Sequence, residues 1–370
     1  PRTVGSYREM LPRINAALGH MRMDRLQPHH IISFYNNMAE TGVREDGRQH
    51  CRVDLKVLLR SRSLTQTGFA EQADISVATL YSINKGNNVS NESAERIARA
   101  LEMPLTDLFE PTNKDRKLAG NTVLHYHKLL SSILTAAVRW QVIPSNPCER
   151  VAPPKVERKE AVYLDEEQAA DLLAALDKES MQHQVIVKLL LFTGMRRGEL
   201  CGLEWKDIDF ERAVIFVRRS SLYMAGRGVF EDETKNTSSE RCMKVSADVV
   251  AMLKAWRAEQ SKQRLRMGDQ WQDSDRLFTA WNGAPIRPDG ITAWFHRFVT
   301  KNGLPPIHIH SLRHTNATLL IAAGTSLTTV AARLGHANST TTSKIYAHAI
   351  KSADQAAAEV LQDILHPVKK

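Results

Sequence analysis

The stretch "PIHIHSLRHTN", residues 306–316, sets three histidines and an arginine within seven positions. Imidazole is the commonest protein ligand for zinc-like ions, and an i, i+4 pair on a helix can share one ion, so His310 and His314 suit a metal. Arg313 argues the other way. A guanidinium keeps its proton, repels cations and suits bidentate grasp of a phosphate. Spacing adds that His310 and Arg313, at i and i+3 near a helix start, share a face. Leu312, Leu319, Leu320 and Ala323 then form the opposite, core-facing stripe until Gly324 ends the helix. Metal and anion thus compete for one helix start, and the rest of the chain has to decide between them.

Composition favours the anion. The 370 residues are 42% hydrophobic and 25% charged, with a net charge of +9, which fits a folded protein with a polyanionic partner. Residues 1–50 carry seven basic against five acidic side chains and 113–160 carry nine against four, whereas 51–112 carry seven against eight. The excess therefore flanks a nearly neutral segment. No apolar run is long enough to span a bilayer, and the start lacks a signal peptide's apolar centre, so the expectation is a cytoplasmic, nucleoid-associated protein without membrane contact. A start at Pro1 without Met reads as a fragment or a processed chain. Cys51, Cys148, Cys201 and Cys242 are far apart, show no C-x-x-C spacing, and are expected to be reduced and buried.

Residues 51–112 read as a small self-contained helical unit, with turn signals between short apolar clusters. "LTQTGFAEQADIS" followed by "VATLYSINKG" closely resembles the helix-turn-helix of phage-repressor-type regulators. That resemblance implies that Ser76, Ala78, Thr79 and Ser82 face a DNA major groove. Near-neutral charge leaves a protein-contact or spacer role equally open. On either side lie pieces of one helical domain, 1–50 and 113–150. "VGSYREMLPRINAALGH" and "LQPHHIISFYNNMAETG" predict two shorter helices. "NTVLHYHKLLSSILTAAVRW" predicts a long amphipathic one with its stripe at Val123, His127, Leu130, Leu134, Ala137 and Val138. Pro-rich, charged residues 151–160 suit an interdomain linker. From 161 to 370 a mixed domain follows, with helices at "LDEEQAADLLAALDK", "MQHQVIVKLLLFTG" and "VVAMLKAWRAEQ", and strands at "RAVIFVRRS" and "ERCMKVS" joined by the polar turn "EDETKNTSS".

Four motifs in this last domain occur in a fixed order: "TGMRRGEL" (193–200), "ETKNTSSERCMKV" (233–245), "HSLRH" (310–314) and "LGHANSTTTSKIYAH" (334–348). Together they strongly resemble the catalytic boxes of tyrosine recombinases, the phage and transposon integrases that share their fold with type IB topoisomerases. The resemblance covers residues 1–50 and 113–370. It implies a mainly α fold with a small antiparallel β-sheet: a helical core-binding domain that clamps DNA, a mixed α/β catalytic domain, and, inserted in the former, an all-α helix-turn-helix.

Position by position, the resemblance assigns Arg196, Lys235, His310, Arg313, His336 and Tyr346 as catalytic. Tyr346 would attack a backbone phosphodiester to give a 3′-phosphotyrosine and a free 5′-hydroxyl, storing the bond energy without ATP. Arg196, Arg313 and His336 would stabilise the charged transition state. Lys235, with Lys244 as the nearby alternative, would protonate the leaving oxygen, and His310 would assist proton transfer around Tyr346. No cofactor and no metal is implied. His308 and His314 match no catalytic position and read as a strand-end side chain and a core or supporting histidine.

The implied partner is double-stranded DNA at a core recombination site of a phage or transposon, with accessory DNA-bending or directionality proteins. A C-terminal helix, with Ala356, Val360, Leu361 and Ile364 on one side, would link protomers into a cyclic homotetramer. Integrases of this kind commonly carry an arm-binding domain further upstream, and none is visible before Pro1. The alternative reading is a repressor-like regulator that uses a recombinase body only as a DNA-binding scaffold.

Overall fold

A computed structural model describes residues 2–40, 48–112, 117–156, 161–224, 226–233, 240–336, 342–343 and 345–346. Lys235 and the C-terminal segment with Ala356, Val360, Leu361 and Ile364 lie outside the described residues. The chain divides into two compact units, 1–158 and 159–370.

In the first unit, helices α1 (Arg2–Leu18) and α2 (Pro28–Met38) precede strand β1 (Arg48–Cys51). Next come α3 (Leu55–Ser61), α4 (Gln66–Gln72), α5 (Val77–Asn84), β2 (Val89–Ser90), α6 (Asn91–Ala100), α7 (Leu105–Leu108) and β3 (Phe109–Pro111). The long helix α8 (Gly120–Arg139) closes the series. Two separate cores result. Ile14 and Leu18 of α1, Ile31, Phe34 and Met38 of α2, and Val123, Leu130 and Leu134 of α8 share one, so both sides of the central segment fold together. His127 leaves the apolar stripe predicted for α8: its Nδ1 lies 2.8 Å from Tyr35 Oη, a polar contact that periodicity alone does not show.

The second core contains Leu55, Leu59, Phe69, Leu80, Ile83, Ile97, Leu101 and Leu108. Its helices begin where short polar side chains cap them: Asp54, Thr65, Ser76 and Ser90 accept from the backbone N–H groups of Val57, Gly68, Thr79 and Ser93. Each such cap is worth about 1 kcal/mol. The segment is helical as expected, with one addition: β1 sits between β2 and β3 in a three-stranded antiparallel sheet. Gln49, His50 and Cys51 pair with Pro111, Glu110 and Phe109, so the segment enters and leaves through neighbouring strands.

The second unit begins with α9 (Glu166–Leu176), α10 (Met181–Thr193) and α11 (Arg197–Gly202). Strands β4 (Ile208–Asp209), β5 (Val214–Val217), β6 (Arg219–Met224), β7 (Gly228–Glu233) and β8 (Arg241–Lys244) follow. Helices α12 (Ala247–Met267), α13 (Pro288–Lys301), α14 (Ser311–Ala322) and α15 (Leu327–Leu334) complete it. The two expected strands do pair, Val214 with Lys244 through Val217 with Arg241, but the connection is not a single turn. It contains the separate hairpin β6–β7.

The core gathers Leu172, Val185, Ile186, Leu190, Ile215, Met243, Leu253, Trp256, Phe278 and Phe295. α14 turns a different side inward from the predicted stripe. Leu312, Ala317 and Ile321 are buried, whereas Ala323 is exposed and Leu319 and Leu320 are half-buried. Gly324, at φ +81, follows the helix end as predicted. Cys148 and Cys201 are buried, Cys51 is half-buried, and Cys242 is exposed against expectation because it alternates outward on β8.

Candidate active site

The site is assembled at one residue without a side chain. α10 stops at Gly194, whose φ of +65 reverses the chain. Its carbonyl accepts from Arg313 Nη1 at 2.8 Å, and Asn316 Nδ2 donates to the Leu191 carbonyl at 2.8 Å, so α14 is bolted to the end of α10. A Cβ at Gly194 would stand 2.6 Å from Leu334 Cδ2 and 2.7 Å from Asn316 Oδ1, so α15 closes on the same point.

Two residues on, Arg196 precedes α11. Glu199 accepts from the Arg196 backbone N–H at 2.8 Å and from its Nη1 at 2.8 Å, so one carboxylate caps the helix and aims the guanidinium. Arg241, at the start of β8, donates to Glu199 Oε2, the oxygen that also accepts the Arg196 N–H, at 2.7 Å and to the Arg333 carbonyl at 2.8 Å. Burial alone would raise the Glu199 carboxyl, but the Arg241 and Arg196 hydrogen bonds outweigh it, and it lies below its ordinary value. Arg196 itself is half-exposed.

Arg313 is 3% exposed, and its Nη2 is buried without a hydrogen-bond partner. Burial, with repulsion from Arg196, lowers it to about 10, so it stays charged at neutral pH. Such a donor is costly to bury unless something accepts from it, and an anion does so best. His310 immediately precedes α14, where burial and the charges of Arg313 and Arg196 hold its imidazole below the ordinary value. His336 follows Gly335 and places Nδ1 2.7 Å from Thr342 Oγ1. Burial, then Arg313, Arg196 and Arg241, push it down to about 4, so it is a neutral ring at neutral pH.

Tyr346 is 1% exposed, packed with Ala317, Ile321, Val330 and Leu334. Its N–H donates to the Thr342 carbonyl at 2.9 Å, which ties the tyrosine to the partner of His336. Burial pushes the phenol up to about 12, against a lowering by the nearby Arg313. Its Oη lies 2.9 Å from Nδ1 of His314, not of His310.

The three histidines of the opening stretch thus have different positions. His308 is exposed and meets Ser311 Oγ at 3.1 Å at the helix start, not at a strand end. His310 and His314 stand edge-on, centroids 4.9 Å apart. Among the described residues, no three His, Cys, Asp or Glu side chains converge as metal ligands.

Five of the six expected catalytic residues fall within the described structure, on or beside α11, α14, α15 and the turn to Tyr346. Glu199 and Arg241 join them without having been singled out, and His314, read from the sequence as a core or supporting histidine, joins them at the phenol of Tyr346. In the helix-turn-helix, Ser76 and Thr79 spend their hydroxyls on each other at 2.9 Å, as part of the cap of α5. Ala78 is exposed and Ser82 is half-buried, while Tyr81, 58% exposed, and Lys85, just past the helix end, present the larger groups to solvent.

The profile of the phage integrase family matches residues 162–353, half of the chain and the whole of this site. The chain belongs to the phage integrase family. It is a tyrosine recombinase, an enzyme that cuts and rejoins DNA strands. A Cro/C1-type helix-turn-helix DNA-binding domain matches residues 54–114. Among curated relatives, the ICEBs1 integrase of Bacillus subtilis is 27% identical over 67% of each chain. A XerC-like tyrosine recombinase of Caldanaerobacter subterraneus is 28% identical over 66% of this chain and 67% of its own. The solved Tn1549 transposon integrase, in complex with a circular intermediate DNA, aligns with a TM-score of 0.56 at 23% identity, covering 83% of this chain and 97% of that one. A lambda integrase dimer bound to a core site aligns at 0.51 and 14% identity, covering 93% and 88%. These two show the shared fold.

Proposed function

We propose that this integrase joins mobile-element DNA at a core site through a 3′-phosphotyrosine on Tyr346. The observation that carries this is the buried, unpartnered Nη2 of Arg313, beside Arg196 and near enough to Tyr346 to act on the charge of its phenol. Arg313 and Arg196 hold the non-bridging oxygens, and neutral His336 and His310 donate to the same phosphate. Lys235 protonates the leaving 5′-oxygen. Residues 1–50 and 113–150 clamp the duplex through phosphate contacts, and the catalytic domains assemble as a homotetramer through exchange of the C-terminal helix. Accessory DNA-bending or directionality proteins set the outcome.

Tyr346→Phe tests the core of this reading, because it removes only the attacking oxygen. On a nicked duplex carrying the element's attachment site, the variant is expected to bind DNA and form no covalent adduct. Adduct formation by the Phe variant refutes the nucleophile. Cleavage by the unaltered enzyme is expected to persist in excess chelator, since arginines and not a metal hold the anion.

A further inference from the structure

Tyr346 needs a proton acceptor. A phenol pushed up to about 12 by burial keeps its proton at neutral pH, and the arginines around it can only donate. Among the described residues, the one side chain within hydrogen-bonding distance of Tyr346 Oη is His314, with Nδ1 at 2.9 Å. His336 Nδ1 is occupied by Thr342, and the ring of His310 meets His314 edge-on, while the hydrogen bond to the phenol is made by His314. The helix that carries the imidazole is anchored. His314 stands one residue after Arg313 on α14, the helix tied to Gly194 and Leu191 by Arg313 and Asn316. The tyrosine ring lies against Ala317 and Ile321 of that same helix.

We propose that His314 is a catalytic residue, the general base of strand cleavage, with Nδ1 taking the Tyr346 proton. The proposal rests on the reading of Tyr346 as nucleophile. The step balances within the site. As Oη bonds to phosphorus, its proton passes to Nδ1, the bond from phosphorus to the 5′-oxygen breaks, and Lys235 supplies the proton that the 5′-oxygen takes up. Rejoining runs in reverse: the 5′-hydroxyl gives its proton to the lysine, attacks phosphorus, and the departing phenolate regains its proton from His314. This requires the tautomer with the proton on Nε2 and the lone pair on Nδ1. It also moves the proton role that the sequence gives to His310 four residues along the helix.

The test separates a base from a brace. In His314→Asn the amide keeps a hydrogen-bonding group near the Nδ1 position but has no basicity. On a nicked attachment-site duplex, it is expected to retain DNA binding and lose about 100- to 10,000-fold in the rate of covalent adduct formation, the usual worth of a general base. His314→Ala is expected to recover adduct formation with added imidazole, more with more basic imidazoles, a response that lost packing does not give. A third arm uses a duplex with sulfur in place of the scissile 5′-bridging oxygen, a leaving group that needs no acid. Lys235→Ala should recover on it and His314→Asn should not.

An Asn variant within about threefold of the unaltered enzyme overturns the proposal, as does its rescue by the sulfur leaving group. Tyr346→Phe, run in parallel, keeps the two readings apart. Adducts from the Phe variant refute the nucleophile, whereas an inactive Phe variant beside a fully active Asn variant refutes only the base.

Discussion

Arg196 is aimed by a charge that never needs to touch DNA. Glu199 is 3% exposed and lies between Arg196 and Arg241, with a hydrogen bond to each guanidinium. Removing one partner of a buried ion pair leaves the other uncompensated, and Glu199→Gln is expected to destabilise the catalytic unit by about 3–5 kcal/mol, read as a lower melting temperature. The pH dependence has a definite sign. A carboxyl held below its unfolded value of about 4.3 stabilises the fold fully above that pH and loses this contribution as pH falls through its folded value. Melting curves between about pH 7 and pH 3 should therefore fall less steeply for Glu199→Gln than for the unaltered protein; parallel curves would contradict the buried pair. His336 adds a loss at higher pH: its folded value of about 4 lies below the unfolded 6.5, so stability also declines as pH drops below about 6.5. Arg313→Lys keeps the charge but loses the planar fork that grips Gly194 with one nitrogen and offers another. A fall of about 100- to 1,000-fold in cleavage with DNA binding retained is the expected result. The residues proposed to meet phosphate were legible as an ordered set of boxes. Their supports were not, because Glu199 inside "TGMRRGEL" reads as ordinary helix-start charge and Arg241 reaches it only after the chain has passed through four further strands, β4 to β7.

At the scale of elements, helix stops carry the site. Gly194→Ala places a side chain at φ +65, and the new Cβ falls within 2.7 Å of both Leu334 and Asn316. A left-handed residue costs about 1 kcal/mol and overpacking about 1–3 more, so this single methyl is expected to lower stability and to weaken cleavage by spreading α14 and α15 from α10. An unchanged melting temperature in the Ala variant would show that the three helix ends can relax independently. Helices were the readable part of this fold, since capping residues mark α3 to α6, α9 and α10, and a 3.6-residue apolar period marks α8, in the sequence itself. The hairpin β6–β7 was not readable. "RSSLYM" and "GVFEDE" mix polar and apolar positions without clean alternation because the pair forms its own two-stranded sheet. β1 and β3 escaped notice for a related reason: strands of four and three residues owe their existence to each other, across sixty residues of chain.

At the scale of the whole molecule, the basic excess of residues 1–50 and 113–160 implies that DNA affinity falls steeply with salt, as phosphate contacts release counterions. A flat response between about 50 and 200 mM salt would contradict a clamp. The helix-turn-helix lies inside that basic region without sharing its charge or its core. β1 and β3 are directly paired, and paired Cα atoms stand about 5 Å apart, so a short turn can replace everything between them without moving α2 or α8. Exchanging residues 52–108 for a two- to four-residue Asn-Gly-type turn is therefore expected to leave cleavage at a core site intact. What should be lost is a contact outside the core. α5 presents Ala78 and Tyr81 to solvent, with Lys85 just past its end, groups suited to a duplex, and the loss of affinity should appear on long duplexes and not on short ones. Loss of higher-order complexes on both lengths would assign the segment to protein contact instead. Failure of the shortened protein to cleave any duplex would show that the segment belongs to the clamp itself, despite its separate core.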